Sequence, residues 1–212
     1  MAQYDAAAYP LLAAAEAGDS PTVRLLLEQD ADPNERTDDG WTALIMAAKG
    51  GHAAIVTALL MADAEVNPPI EGKWADPAPP ETTHTALRGA AIAGQLHIVK
   101  LLVENGADAN IVSAGLRTPL MGAAMNGHKA TVEFLLESGA SPLATNTFGE
   151  TARAVAESRS HAAIAEALGE HEAAAAEAQR ASSGGTDGQP RLSVGQAAQV
   201  LAAYLDETGK AG

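Results

Sequence analysis

The chain has 212 residues, of which 47% are apolar but only 3% aromatic, with no cysteine and a formal net charge of −14. A core of Ala, Leu, Val and Ile suits closely packed helices, and the missing thiols exclude a disulfide framework, a thiol nucleophile and a thiolate metal site. With only 13 Lys and Arg against 27 Asp and Glu, the field opposes nucleic acid and anionic lipid, which reward clustered basic residues.

The opening residues Met1-Ala2-Gln3-Tyr4-Asp5 carry neither a basic n-region nor an apolar h-region, and no run of about 18 apolar residues occurs anywhere. The expectation is a cytoplasmic protein that does not enter a membrane. Residues 9–18 then place apolar side chains at helical spacing, Gly18-Asp19-Ser20-Pro21 interrupts them, and residues 22–29 resume the pattern. Two short antiparallel helices are predicted, the second capped by Asp19 or Ser20, with Pro21 in a first turn where a missing N–H removes nothing. Asp30 and Asp63 hold the place that Gly106 and Gly139 take later, which reads as a left-handed residue closing a helix.

A second helix pair is predicted over residues 43–49 and 53–62. Residues 68–80 hold five prolines and Trp74 without apolar periodicity, so they form a stiffened loop rather than a helix. A third pair falls within residues 83–110 and a fourth within 116–140. In the fifth, Arg153 and Glu157 replace the Leu and the second Ala of the other units, which marks a terminal cap. Residues 170–181 are rich in strong helix formers and extend the last helix, before a Gly/Ser linker. Ser193 and Gln196 then resemble a capping box, and Val194, Ala198, Leu201 and Leu205 share one face of an amphipathic tail helix. That helix docks on the array in the first reading; insertion into a partner and pairing with a second copy are the alternatives.

The unifying feature is repetition. Thr42-Ala43-Leu44 returns as Thr85-Ala86-Leu87, Thr118-Pro119-Leu120 and Thr151-Ala152-Arg153, with Tyr9-Pro10-Leu11 as an eroded first copy. Neighbouring copies lie 33 residues apart except between Thr42 and Thr85, where the interval is 43. Such a period means a stack of supersecondary units. Gly40-Trp41-Thr42-Ala43-Leu44, Ala47-Ala48, Gly51-His52, Ile55-Val56 and Leu59-Leu60, with Ala123-Ala124, Gly127-His128 and Leu135-Leu136 in a later unit, resemble the ankyrin repeat. Departures are Ile45, Arg88 and Met121 where that repeat carries His, and Thr83 and Leu116 at its turn glycine.

The resemblance implies an all-α solenoid of paired antiparallel helices with β-turn fingers over residues 5–172. Its units run at about 5–37, 38–80 with the Pro-rich insertion 68–80, 81–113, 114–146 and a cap at 147–172. An Ala-rich extension and linker, 173–191, and the helical tail, 192–212, complete the chain. It also implies a concave groove, lined by turn tips and first helices, that binds other proteins. Carried over position by position, the candidate partner-binding residues are Asp38, Asp39, Trp41, Met46 and Lys49; Glu81, Thr82, His84 and Ile92; and Arg117 and Met125, with Trp74 from the loop. Trp41, Met46, Ile92 and Met125 are apolar where an exposed face would carry charge, and aromatic and Met side chains are enriched at interface centres.

For catalysis the sequence offers no phosphate-cradling glycine loop, nucleophile elbow or zinc-binding His-Glu-x-x-His helix. His52, His128 and His161 share one repeat position, but stacking separates them by roughly 8–10 Å per helix layer, too far for one ion. They read as structural, and neither metal nor cofactor is expected. The reading is therefore a non-enzymatic protein-binding module. Its partner is unidentified, and the overall charge favours a basic one. One alternative is an acidic inhibitor or immunity-type protein that neutralises a basic enzyme. The other is an enzyme with a pocket between groove and insertion loop around His84 and Arg117. Self-association through the tail helix is a further possibility for the assembly.

Overall fold

A computed structural model describes residues 4–67 and 84–183. The Trp74 loop, Glu81, Thr82, the Gly/Ser linker and the amphipathic tail lie outside the described residues. By its contacts the chain divides into Met1–Ala175 and Ala176–Gly212, and the helical pairs belong to the first unit. Among the described residues it is all-helical: α1 (Pro10–Ala17) and α2 (Ser20–Glu28), α3 (Ala43–Gly50) and α4 (Ala53–Met61), α5 (Ala86–Ile92) and α6 (Leu96–Glu104), α7 (Pro119–Met125) and α8 (Lys129–Glu137), then α9 (Ala152–Ser158). The final helix, α10, runs over Ala162–Ser183 and includes the Ala-rich stretch, which prolongs it as its composition predicts.

The recurring Thr has a local cause. Thr42, Thr85, Thr118 and Thr151 are N-caps whose hydroxyls accept from the amides of Ile45, Arg88, Met121 and Ala154, so each satisfies a donor that the helix cannot. Asp19 caps α2 in the same way through the Thr22 amide. Where the second helices close, Asp30 and Asp63 have φ of 60° and 61°, and Gly106 and Gly139 stand at 86°. These are the left-handed positions expected from the sequence.

Stacking follows from side-chain size. The inner helices pack in series, α1 on α3, α3 on α5, α5 on α7 and α7 on α9, while α2, α4, α6 and α8 form a second series. Ala15, Ala47, Ala48, Ala90, Ala91, Ala123, Ala124 and Ala156 have no exposed surface, and such small residues let the inner backbones approach closely. Leu59, Leu102 and Leu135, also fully buried, fill the space toward the outer helices and contribute about 1.5–3 kcal/mol each.

Two polar ladders fix the register. Asn34 receives the Glu65 amide and donates to the Asp63 carbonyl; Asn67 receives the Asp108 amide and donates to the Gly106 carbonyl; Asn110 receives the Ser141 amide and donates to the Gly139 carbonyl. The second ladder uses the helix-turn histidines. A Cβ at Gly94 would come within 2.6 Å of the His128 ring, and one at Gly127 within 2.8 Å of His161. Each ring lies over the preceding turn, where His128 Nε2 stands 2.9 Å from the Ile92 carbonyl oxygen and His161 Nε2 stands 3.2 Å from that of Met125. Gln95 takes the corresponding place over Gly51, so the position requires a flat polar group rather than a metal ligand.

At the far end Arg153 pairs with Glu157 at 2.9 Å and approaches Glu172 at 3.7 Å. Charges therefore occupy the positions that hold buried Leu44 and Ala48 in the second unit.

Candidate functional site

The turn fingers begin with buried polar anchors. Thr37 donates its amide to the Trp41 carbonyl at 3.1 Å, and its hydroxyl accepts the Trp41 amide at 3.1 Å, with Gly40 at φ 79° completing the turn. At the junction of the third and fourth units Ser113, fully buried, donates both its amide and its hydroxyl to the Arg117 carbonyl, at 2.9 and 3.0 Å. At the junction of the fourth and fifth, Asn146 Oδ1 accepts the amides of Phe148 and Glu150, and Nδ2 donates to Glu150 Oε2 at 2.9 Å. Trp41, Arg117 and Glu150 are held in this way, and with His84 they occupy one repeat position, immediately before the helix-capping Thr.

Two of these side chains meet. The Trp41 and His84 rings stack at 3.7 Å between centroids and 19° between planes, and Lys49 Nζ lies 5.3 Å from the Trp41 ring centroid. Beneath them Ile45, Arg88 and Ile92 help to enclose a mostly apolar cleft of about 130 Å³. Burial pushes the His84 pKa down to about 4, assisted by the charges of Arg88 and Lys49 and opposed by Asp39. At neutral pH the ring is therefore uncharged, and it extends the aromatic surface of Trp41 rather than competing with Lys49 for acidic groups.

A larger cavity of about 320 Å³ lies one unit further along, between α5, α7, α9 and the last two fingers. Its wall holds three arginines from three units, Arg88, Arg117 and Arg159, with Met121, Met125 and Phe148 supplying apolar surface. Burial, then the neighbouring charge of Arg117, lowers the Arg88 pKa, and its Nε is buried without a hydrogen-bond partner. Phe148 is 75% exposed, so it forms part of the rim.

Of the residues expected from the sequence, the structure brings Trp41, Lys49, His84 and Ile92 to the first cleft and Arg117 and Met125 to the second. Asp38 and Asp39 are exposed on the second unit's finger. Met46 is a correction: it is 4% exposed and belongs to the core. The helix phase that exposes Lys49 turns Met46 between α3 and its neighbours, where the third and fourth units carry Gly89 and Gly122. Trp74, Glu81 and Thr82 fall outside the described residues. Sequence reasoning missed Arg88 and Arg159 as site residues. The available signal was a cation, Arg88, at a position filled by Ile45, Met121 and Ala154 in the other units.

Among the described residues no group of three or more His, Asp or Glu side chains is arranged to hold a metal ion, and no helix is long and apolar enough to cross a membrane. A family model described as ankyrin repeats (3 copies) matches residues 2–70 and 69–146. No curated protein matches the chain.

Proposed function

The chain belongs to the ankyrin-repeat family, and on that premise we propose that it is a non-enzymatic module that binds a partner protein along the face formed by its fingers and inner helices. Ankyrin repeats generally serve as protein–protein interaction modules. The observation that carries the reading is the run of two adjacent clefts on this face, walled by Trp41, His84, Ile92 and Met125 with Lys49 and Arg117 beside them. Half-buried aromatic and Met surface ringed by charge is the composition of an interface centre. Trp74, from the Pro-rich loop inserted between the second and third units, joins this face in the proposal, together with Glu81 and Thr82. The sequence boundaries of the array, residues 5–172, are part of the same reading, as is a cytoplasmic setting.

The test is capture of partners from the native host by the full chain and by the Trp41→Ala/Met125→Ala double variant. The expected result is a specific protein lost from the variant when equal amounts of folded protein are compared, since Trp41, though partly exposed, also packs on the core and its removal lowers the thermal transition. Equal capture by both proteins would overturn the proposal.

A further inference from the structure

We infer that the cavity walled by Arg88, Arg117 and Arg159 receives an acidic side chain of the partner, with an apolar neighbour seated on Met125 and Phe148, so that this acidic protein recognises an acidic peptide. The inference rests on the binding face proposed above and assigns the chemistry of what occupies it.

The three arginine side chains come from three successive units and line one cavity. None of them has an ion-pair partner among the described residues, in a chain with 27 acids and 13 bases. Glu150 is the acid on the described wall, and one of its oxygens already accepts the Asn146 amide at 2.9 Å. A buried guanidinium nitrogen without an acceptor is costly, and Arg88 Nε is in that state. The Arg88 side chain lines the cavity, so a carboxylate seated there brings negative charge beside this unsatisfied cation. Planar guanidinium forks match a carboxylate in two parallel hydrogen bonds, and charge-assisted bonds of this kind are the strong ones.

The site is also preformed. Two hydrogen bonds from Ser113 hold the Arg117 carbonyl, and Leu116 adopts a left-handed φ of 56° to direct the chain into Arg117. That conformation is unfavourable for a residue with a branched side chain. Gly122 leaves room for Ile92, whose Cγ1 a Cβ there would approach to 2.8 Å, and lies in ordinary contact range of Arg88 Cγ at 3.6 Å. Fixing the backbone that carries Arg117 before binding reduces part of the ordering cost of association. The apolar rim adds the second half of the specificity: Met125 is partly exposed and Phe148 is 75% exposed, and both line the same cavity as the arginines.

The two clefts thus sort the partner by chemistry. The neutral Trp41–His84 stack favours an apolar or flat side chain, and the arginines favour an anion one unit away. A partner with only basic residues would meet repulsion at the second cleft, whatever the net charge of the whole chain.

Selection of a random peptide display library on the full chain, followed by titration of the enriched peptides in synthetic form, tests this. The expected result is enrichment of Asp or Glu beside an apolar residue, with affinity about tenfold weaker for the Arg117→Gln/Arg159→Gln variant. Both arginines are exposed, so folding should be unaffected. Affinity should also be little changed by Lys129→Gln on α8. Enriched peptides that depend on Trp41 but lack acids, or that ignore the arginine changes, would overturn the inference and leave the binding face standing. Peptides indifferent to both Trp41 and the arginines, or no enriched binder, would overturn both.

Discussion

Between neutral pH and pH 4 the Trp41–His84 stack acquires a charge that its surroundings disfavour. His84 has a folded pKa of about 4 against an ordinary 6.5, so the unfolded chain binds the proton first. Stability from this residue is complete above about pH 6.5 and is lost as pH falls toward about 4. The half-exposed ring keeps water nearby, which makes the loss smaller than the shift alone would give. Urea titrations at neutral pH and near pH 4 should show a smaller difference for His84→Gln than for wild type; an unchanged difference would place the acid sensitivity elsewhere. Met46 and Trp41, only five positions apart, should separate cleanly. Met46→Ala removes a core side chain and should cost about 2–4 kcal/mol, with the affinity of the folded fraction for the partner retained. Denaturation and titration of the same sample would distinguish that outcome from a direct role in binding.

The helices and their ends were readable because each depends on residues a few positions apart. Asp19 announces the start of α2 through a side chain and an amide within one turn, and Asp30 and Asp63 revealed left-handed closures by occupying the place of Gly106 and Gly139. The Asn ladder was visible as a recurring Ala-Asp/Glu-x-Asn sequence, but its role was not, since each Asn bonds backbone groups about one repeat away. Asn67 bridges to Gly106 and Asp108 across the enlarged interval, with bonds of 2.7 and 2.9 Å. Asn67→Ala removes both bonds to backbone groups that water can reach, and should cost about 0.5–1.5 kcal/mol, read as a lowered urea midpoint. The candidate site was legible in part. Trp41, His84 and Arg117 follow from one repeat position, whereas Arg88 and Arg159 come from other positions, and only the stacked geometry brings them to one cavity. Met46 was misjudged because its helix phase places it between neighbouring helices, which periodicity over eight residues resolves poorly.

Across the whole molecule, a net charge of −14 and a local cluster of arginines act over different distances. The summed charge is felt at long range and is screened within a Debye length of about 10 Å at 0.1 M salt, while the arginines act only once a partner is seated. For an acidic peptide, added salt should therefore speed association by screening the long-range repulsion and also speed dissociation from the cavity. Stopped-flow association across a salt series separates this from the inhibitor reading, in which a basic partner would associate more slowly as salt rises. The central claim, that partners bind where the fingers meet the inner helices, is tested most directly by hydrogen exchange of the full chain alone and with a captured partner. The prediction is added protection at the described fingers and the ends of α3, α5 and α7 beside them, around Trp41, Lys49, Ile92, Arg117 and Met125. Protection confined to the outer helices α2, α4, α6 and α8, with the fingers unchanged, would contradict it.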